Sequence, residues 1–369
     1  TDGVLLFAGG SFSDVGGLTR DHLAAFDLAA GGVLTAWNPS ADDRVEALVV
    51  QSPSIYIGGQ FLNVAGAPRA RLAEIDYTGA ARPWNPGADA PVYAIAVDAA
   101  GILVGGAFTN VGGQPRTYLA EIDPGTGLAT SWNGNANNEV FALQPHGSSL
   151  YVGGGFTSIG GAARVFLAQL DRATGIASAW DPAIPGGLVS ALLADNGTLW
   201  VGGHFNQILG QSRSKLAGID LATGALKPWT AGANSGPVLA FAADGTTLYT
   251  GGQFQSVSGE LTYNLAAIDG SGPVDAPRVA PAGGRRIAVW PNPAHGSASV
   301  SFELSRDSAV SLDFFDVGGR RVRSLLEGER MAAGRHAVRL PAEALVPGVY
   351  FARWSDGVDR ATAKVTVIR

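Results

Sequence analysis

The chain has 369 residues, of which 46% are hydrophobic and 15% charged, with 52 glycines and no cysteine. This length exceeds one ordinary core and the composition is that of a folded, turn-rich chain, which excludes disorder; the missing cysteines exclude disulfides, thiolate metal sites and a cysteine nucleophile. Residues 1–284 carry 12 Lys+Arg against 22 Asp+Glu, net −10, and residues 285–369 carry 13 against 9, net +4, so the acidic main body argues against nucleic acid as a partner.

From the first residues the chain repeats itself. Gly-Gly pairs stand at Gly9-Gly10, Gly58-Gly59, Gly105-Gly106, Gly153-Gly154, Gly202-Gly203 and Gly251-Gly252, spaced 49, 47, 48, 49 and 49 residues apart. A period of this length marks an array of equivalent supersecondary units. In the fourth copy the units are Val140-Phe-Ala-Leu143, Leu150 to Gly154, Phe166 to Asp171 and a run into Trp180. The first is echoed by Val45-Glu-Ala-Leu48, Val92-Tyr-Ala-Ile95, Val189-Ser-Ala-Leu192 and Val238-Leu-Ala-Phe241. The third recurs as Leu-x-x-x-Asp ending at Asp27, Asp76, Asp123, Asp220 and Asp269, and the fourth at Trp37, Trp84, Trp132 and Trp229. These segments are short, rich in β-branched and aromatic residues, and bounded by Gly, Asn, Pro or Asp, which is how strands read; nothing has helical length or period.

Four short antiparallel strands per unit, six times over, predict an all-β fold, a six-bladed β-propeller over residues 1–269. A Gly-Gly pair inside a strand marks a close approach or a bulge; here it precedes a recurring Phe (Phe12, Phe61, Phe108, Phe156, Phe205, Phe254) and is expected to leave room for a neighbouring ring. The Asp ending the third strand, followed four residues on by Gly31, Gly127, Gly175 or Gly224, reads as a hairpin turn. One carboxylate per blade cannot assemble a calcium site. Arg20, Arg69, Arg116, Arg164 and Arg213 stand eight residues after the recurring Phe, and repetition in so many blades points to a guanidinium satisfying loop carbonyls. The first copy lacks its Val-x-Ala-Leu strand and the sixth its Trp strand. Residues 1–5 align with the middle of a repeat near Asp244 to Leu248, so the expectation is a chain truncated at its N-terminus, with an upstream segment supplying those two strands.

On these motifs, residues 4–269 resemble the delta-60 type of propeller repeat, and the Leu-Ala-x-x-Asp, Thr-Gly and Trp run is also similar to quinoprotein-type repeats. The resemblance implies fold and carries little about function.

Residues 270–284 read as a Pro/Gly/Ala linker. Residues 285–369 contain seven strand-like runs, which suit a small immunoglobulin-like β-sandwich. Five motifs follow in order: Trp290-Pro291-Asn292-Pro293, Phe315-Asp-Val-Gly318-Gly319-Arg-Arg-Val322, Ala333-Gly-Arg-His336, Leu345-Val-Pro-Gly348-Val-Tyr350-Phe351 and Lys364-Val-Thr-Val-Ile-Arg369. This series resembles the C-terminal sorting domain of the type IX (Por) secretion system, with Trp290 where that family usually has Tyr. The resemblance implies a bacterial protein whose partner is the secretion machinery and whose destination is the extracellular space or the outer-membrane surface. A similar sandwich occurs in flagellar hook-capping proteins, so an ordinary accessory domain is the competing reading.

Catalytic signatures are missing. No lysine follows a glycine as in a P-loop, no Gly-x-Ser-x-Gly or His-Glu-x-x-His occurs, and the five histidines lie in unrelated contexts. The expectation is therefore no catalytic, cofactor-binding or metal-binding residue, no cofactor, and no transmembrane helix, since no apolar run reaches about 18 residues. Asp195-Asn-Gly-Thr-Leu-Trp200 partly resembles the Asp box of sialidase-type propellers, which is itself a structural turn. Asp42, Asp43, Asp89, Glu139 and Asp181 read as loop acids, and a pair of them within roughly 5–10 Å would instead serve glycoside cleavage. Residues shared by all blades build the ring, so a ligand site should use positions that differ. The residue after each Gly-Gly varies as Ser11, Gln60, Ala107, Gly155, His204 and Gln253, and Gln60, His204 and Gln253 are the candidate polar rim of a channel mouth. The expectation is a secreted or surface-attached propeller that binds a protein or glycan; the alternative is a secreted polysaccharide hydrolase or lyase with its site in the channel.

Overall fold

The computed structural model describes residues 1–258, 260–262, 264–269, 287–290, 294–295, 297–304, 306–316, 320–341, 345–357 and 360–368. It divides into two compact units, Thr1–Val279 and Ala280–Arg369. The expected linker 270–284 lies outside the described residues.

The first unit is a series of six antiparallel sheets. In blades 2 to 6 an inner strand (Val45–Gln51, Val92–Val97, Val140–His146, Gly187–Asp195, Val238–Asp244) pairs with a middle strand (Ser54–Gly59, Ile102–Gly106, Ser149–Gly154, Thr198–Phe205, Thr247–Gly252). The middle strand pairs in turn with a third strand ending at or next to the recurring Asp (Leu72–Asp76, Leu119–Ile122, Leu167–Asp171, Leu216–Asp220, Leu265–Asp269). Among the described residues blade 1 consists of Leu5–Gly9, Leu23–Asp27 and Val33–Leu34. Inner strands of successive blades lie beside one another.

The Trp segment is less of a strand than its residues suggest. In blades 2 to 5 it meets its own sheet through a single bridge, such as Leu170 with Ala177. Its tryptophan points across to the following blade: the indole Nε1 of Trp37, Trp84, Trp132 and Trp180 donates to the carbonyls of Asp76, Asp123, Arg172 and Gly224 at 2.9–3.2 Å. A Pro two residues after most of these tryptophans also removes a ladder donor.

The apolar cores lie between blades. Phe7, Leu23 and Trp37 of blade 1 pack on Val45, Ile55 and Ile57 of blade 2, and the pattern continues through Trp200, Leu216 and Trp229 of blade 5 against Val238 and Leu248 of blade 6. Here the Gly-Gly pair makes room for more than a ring: its first glycine faces a valine, joined at Gly202 by the ring of Phe241, and its second meets the recurring Phe at Gly10, Gly106, Gly154 and Gly252. A Cβ built on Gly9, Gly58, Gly105, Gly153 or Gly202 would come within 2.5–2.7 Å of Cγ1 of Val45, Val92, Val140, Val189 or Val238 on the next inner strand. Glycine is what lets consecutive sheets approach closely enough to bury that valine completely.

The recurring arginines hold loop carbonyls, as Arg116 shows with Nη1 on Pro115 O at 2.8 Å and Nη2 on Thr130 O at 2.5 Å. A small hairpin in every blade escaped the sequence reading. Asn110–Val111 pairs with Gln114–Pro115, and five counterparts follow the same plan. Gly112 and Gly113, at φ +59° and +74°, make its two-residue turn, whose positive dihedrals match strand twist. The Val-Gly-Gly signal was present, yet each arm is only two residues long.

The second unit is a two-sheet sandwich. Ile287–Trp290, Ser297–Leu304 and Gly334–Pro341 form one sheet; Ala294–His295, Ser308–Asp316, Arg321–Met331, Gly348–Ser355 and Arg360–Ile368 form the other. Val300, Phe302, Leu312, Phe314, Trp354 and Val365 meet in its core.

Candidate binding rim

In blades 2 to 6 the second glycine of the pair creates the local geometry of the site. It packs directly on the carbonyl of the residue before the inner-strand valine: Arg44, Pro91, Glu139, Leu188 or Pro237. The pairing register slips at this point, between Val and Ala of every Val-x-Ala run, so that the intervening residue is bulged out of the ladder. The bulged residues are Glu46, Tyr93, Phe141, Ser190 and Leu239, one in each of blades 2 to 6. Ser190 donates to Val238 O of the next blade at 2.7 Å, which shows that they reach sideways along the row of inner strands.

The residue after each glycine pair lies at the same end. Gln60 N donates to Arg44 O at 3.0 Å, Ala107 N to Pro91 O at 2.9 Å, Gly155 N to Glu139 O at 2.9 Å and Gln253 N to Pro237 O at 3.0 Å, while His204 pairs with Leu188. Gln60 is half-buried and His204 and Gln253 are exposed. The structure joins Gln60 to a wider cluster. Its Nε2 donates to Glu46 Oε1 at 3.3 Å, and Arg44 Nη1 stands 3.6 Å from the same oxygen. Among the described residues no hydrogen bond links His204 or Gln253 to this cluster.

Blades 3 and 4 complete it. The rings of Tyr93 and Phe141 lie 5.4 Å apart, tilted by 41°. Gly155 leaves the flank of Phe141 open, since a Cβ there would stand 3.8 Å from the ring, and its carbonyl accepts from Asn138 Nδ2 at 3.2 Å. Burial, then the charges of Glu139 and Glu46 and a hydrogen bond to Glu139, push the Tyr93 hydroxyl above its ordinary pKa against the opposing charge of Arg44. At neutral pH Tyr93 is therefore a donor with two carboxylates in its field. Beside the cluster is a cleft of about 340 Å³ lined by Asp42, Asp43, Gln60, Leu62, Arg71 and Pro91.

Several of these residues carried no signal in the sequence. Glu46, Tyr93 and Phe141 occupy the variable middle of Val-x-Ala-Leu, where only the bulge reveals which way they point. Arg71 has φ +65°, and His22, Tyr118, Phe166, Lys215 and Asn264 share that conformation at 63–68°. It costs a non-glycine residue about 1 kcal/mol or more. Of the acids singled out earlier, Asp42 and Asp89 anchor turns. Asp89 accepts from Thr109 N, Thr109 Oγ1, Asn110 N and Asn110 Nδ2 at 2.6–3.0 Å. Asp181 accepts from Ala183 N, and Asp43 from Arg44 N. Glu139 alone of the five faces Tyr93. No group of three His, Cys, Asp or Glu suited to a metal occurs among the described residues.

In the second unit Tyr350 is buried and donates to Val346 O at 2.6 Å. Its strand pairs with the last strand, Gly348 opposite Val367 and Phe351 opposite Lys364, so the motifs around Tyr350 and Lys364 are neighbours in space. Pro291, Asn292, Pro293, Gly318 and Gly319 lie outside the described residues. Residues 288–368 match the family described as a secretion system C-terminal sorting domain, and residues 102–126 match a β-propeller domain of unknown function.

The chain is a β-propeller-repeat protein with a type IX sorting domain.

The sorting domain marks it for export to the cell surface or the extracellular space. No curated protein matches the chain. Among solved structures it is similar to the computationally designed Ika8 protein, at 14% identity and TM-score 0.40 over 90% of this chain and 98% of that one. It is also similar to dimeric latent PorU from Porphyromonas gingivalis, at 12% identity and TM-score 0.20 over 88% of this chain and 33% of that one. Among the described residues no helix is long and apolar enough to cross a membrane.

Proposed function

We propose that the propeller is a non-enzymatic binding module, carried out of the cell by the sorting domain, that takes a glycan at the rim built by blades 2 to 4. The observation that carries this is the tilted Tyr93–Phe141 pair, 5.4 Å apart, set among Glu46, Glu139, Arg44 and Gln60. Aromatic faces bind the apolar face of a sugar ring while flanking carboxylates and amides hydrogen-bond its hydroxyls. Gln60 belongs to this rim, and His204 and Gln253 extend it on blades 5 and 6.

A second reading is favoured by one feature: the charges of Glu46 and Glu139 both bear on Tyr93, and two carboxylates at one place are what a glycoside hydrolase needs on either side of the scissile bond. The test is a glycan and protein array probed with the purified protein, with turnover of every bound glycan measured by reducing-end release. Binding without turnover, lost in both Tyr93→Ala and Phe141→Ala, supports the module. Turnover abolished by Glu46→Gln or Glu139→Gln supports the hydrolase. Binding of a protein alone, or binding indifferent to Tyr93 and Phe141, overturns both.

A further inference from the structure

In blades 2 to 4 a carboxyl or carboxamide on the third strand holds the polar side chains beside it, and in blade 5 that group is missing. The position is two residues before the recurring Asp: Glu74, Glu121, Gln169 and Gly218. Its carbonyl accepts from the backbone N of Arg82, Thr130, Ser178 and Lys227 at 2.8–2.9 Å, which fixes the correspondence between blades. In blade 2 Glu74 accepts from Ser54 Oγ and stands 3.7 Å from Arg82 Nε. In blade 3 Glu121 accepts from Thr130 Oγ1 at 2.9 Å and pairs with Arg172. In blade 4 Gln169 donates to Ser149 Oγ at 2.8 Å and accepts from Ser178 Oγ at 2.9 Å. Blade 5 keeps the flanking groups, with Thr198 at the place of Ser54 and Ser149 and Lys227 at the place of Arg82, but has Gly218 between them.

Two polar groups thereby lose their internal acceptor. Among the described residues neither Thr198 Oγ1 nor Lys227 Nζ has a hydrogen-bond or ion-pair partner, although Thr198 is only 3% exposed. Leaving a buried polar group unpaired is unfavourable. The charge of Lys227 also reaches Asp220, but that carboxylate accepts from Ala222 N, Thr223 N and Thr223 Oγ1 within its own turn. Thr198 and Lys227 line a cavity of about 500 Å³ together with Asp195, Asn196, Trp200 and the turn 245–247 of blade 6. A Cβ on Gly218 would meet Trp200 Cζ3 at 2.8 Å and Thr198 Cγ2 at 3.3 Å. The ring and the methyl group thus cover the glycine, and no side chain from the third strand reaches the two groups.

We propose that this cavity binds a small hydroxylated carboxylate the size of a sugar acid, whose carboxylate bonds to Thr198 Oγ1 and Lys227 Nζ in place of the side chain missing at position 218. An ammonium and a hydroxyl donating to one carboxylate form charge-assisted hydrogen bonds, stronger than those to a neutral group. The sister blades name the chemistry, because two of them fill the same place with a glutamate and the third with its amide. Asp195, held by Asn196 Nδ2 at 3.0 Å, is the one acid among the lining residues. It accepts from a hydroxyl of the ligand, and its charge disfavours a second carboxylate. The cavity stands at the start of the strand Thr198–Phe205, and the rim lies at the end of that strand, beyond Gly202-Gly203. The site is therefore separate from the glycan rim and independent of that reading.

The test is calorimetric titration of the full chain with sodium glucuronate, and with glucose as the neutral control. The expected result is saturable one-to-one binding of glucuronate, with glucose at least about tenfold weaker. Lys227→Met and Thr198→Val are each expected to weaken glucuronate binding roughly tenfold with unchanged melting profiles, since neither polar group has a partner within the protein. The double variant Gly218→Glu/Trp200→Tyr gives blade 5 the tyrosine and glutamate that face each other in blade 2 and is expected to abolish binding, because the protein then supplies its own carboxylate. If the double variant does not fold, the two single variants decide the matter. Absence of glucuronate binding, equal binding of glucose, or binding indifferent to both Lys227→Met and Thr198→Val overturns the proposal. So does glucuronate binding that Tyr93→Ala abolishes, which would place the acid at the rim.

Discussion

Arg172 of blade 4 reaches back to Asp98 of blade 3, with Nε 2.6 Å and Nη2 2.9 Å from its two carboxylate oxygens. Its Nη1 stands 2.6 Å from Glu121 Oε2, and its carbonyl accepts from the indole of Trp132. One guanidinium therefore satisfies two acids of the preceding blade in a nearly closed pocket. Removing it leaves both carboxylates without their cation, the costly way to break a buried ion pair. Arg172→Met is expected to lower stability by about 3 kcal/mol in urea unfolding. Adding Asp98→Asn and Glu121→Gln to that variant is expected to recover much of the loss, because no unpaired charge then remains.

Acid is expected to weaken the propeller through its turn aspartates. Burial alone would raise the carboxyl of Asp89, but hydrogen bonds from Asn110, Thr109 and their backbone amides outweigh it and hold the pKa well below the ordinary value. A depressed folded-state pKa contributes stability that is present above the unfolded value of about 3.9 and is lost as pH falls below it toward the folded value. Asp98 is lowered as well, burial again being overcome, chiefly by Arg172. Thermal melts should hold steady above about pH 5 and decline below about pH 4. Asp89→Asn should show a shallower decline than the parent.

Gly153 and Val189 test the contact that brings blades together. A Cβ on Gly153 would stand 2.5 Å from Val189 Cγ1, so Gly153→Ala is expected to cost roughly 1–3 kcal/mol through overpacking. Val189→Ala alone leaves a void at a fully buried position, at a cost of about 2 kcal/mol. The double variant is expected to be more stable than the sum of the two losses, a coupling that a double-mutant cycle measures. Strict additivity would show that the glycine serves another purpose.

In the sorting domain, Tyr350→Phe removes only the hydroxyl bonded to Val346 O. The expected loss is about 1 kcal/mol, and a reporter fused to residues 270–369 should still leave the cell. Tyr350→Ala also empties a core position. It should destabilise the sandwich by about 3–5 kcal/mol and hold the reporter in the periplasm of a host that exports its own cargo normally.

The repeat period, the strand character of the first three segments of a repeat and the sorting motifs were legible in the residues, because each depends on local composition recurring at a fixed interval. Glycine pairs announce a close approach wherever they occur in a strand, so the existence of tight contacts between units was readable too. Their target was not: only the packed blades show that the partner of Gly153 is Val189, and that the Trp segment spends its indole on the next blade more than on its own sheet. The rim was hidden for a related reason. Alternation tells which face of a strand a residue occupies only while the pairing stays in register, and the bulge between Val and Ala breaks that count at Glu46, Tyr93 and Phe141. Gln60 stands out in the sequence because it varies among copies, but Arg172 and Asp98, 74 residues apart, share no pattern at all. Their meeting is decided by how one sheet is stacked on another, a long-range geometry that no local spacing encodes.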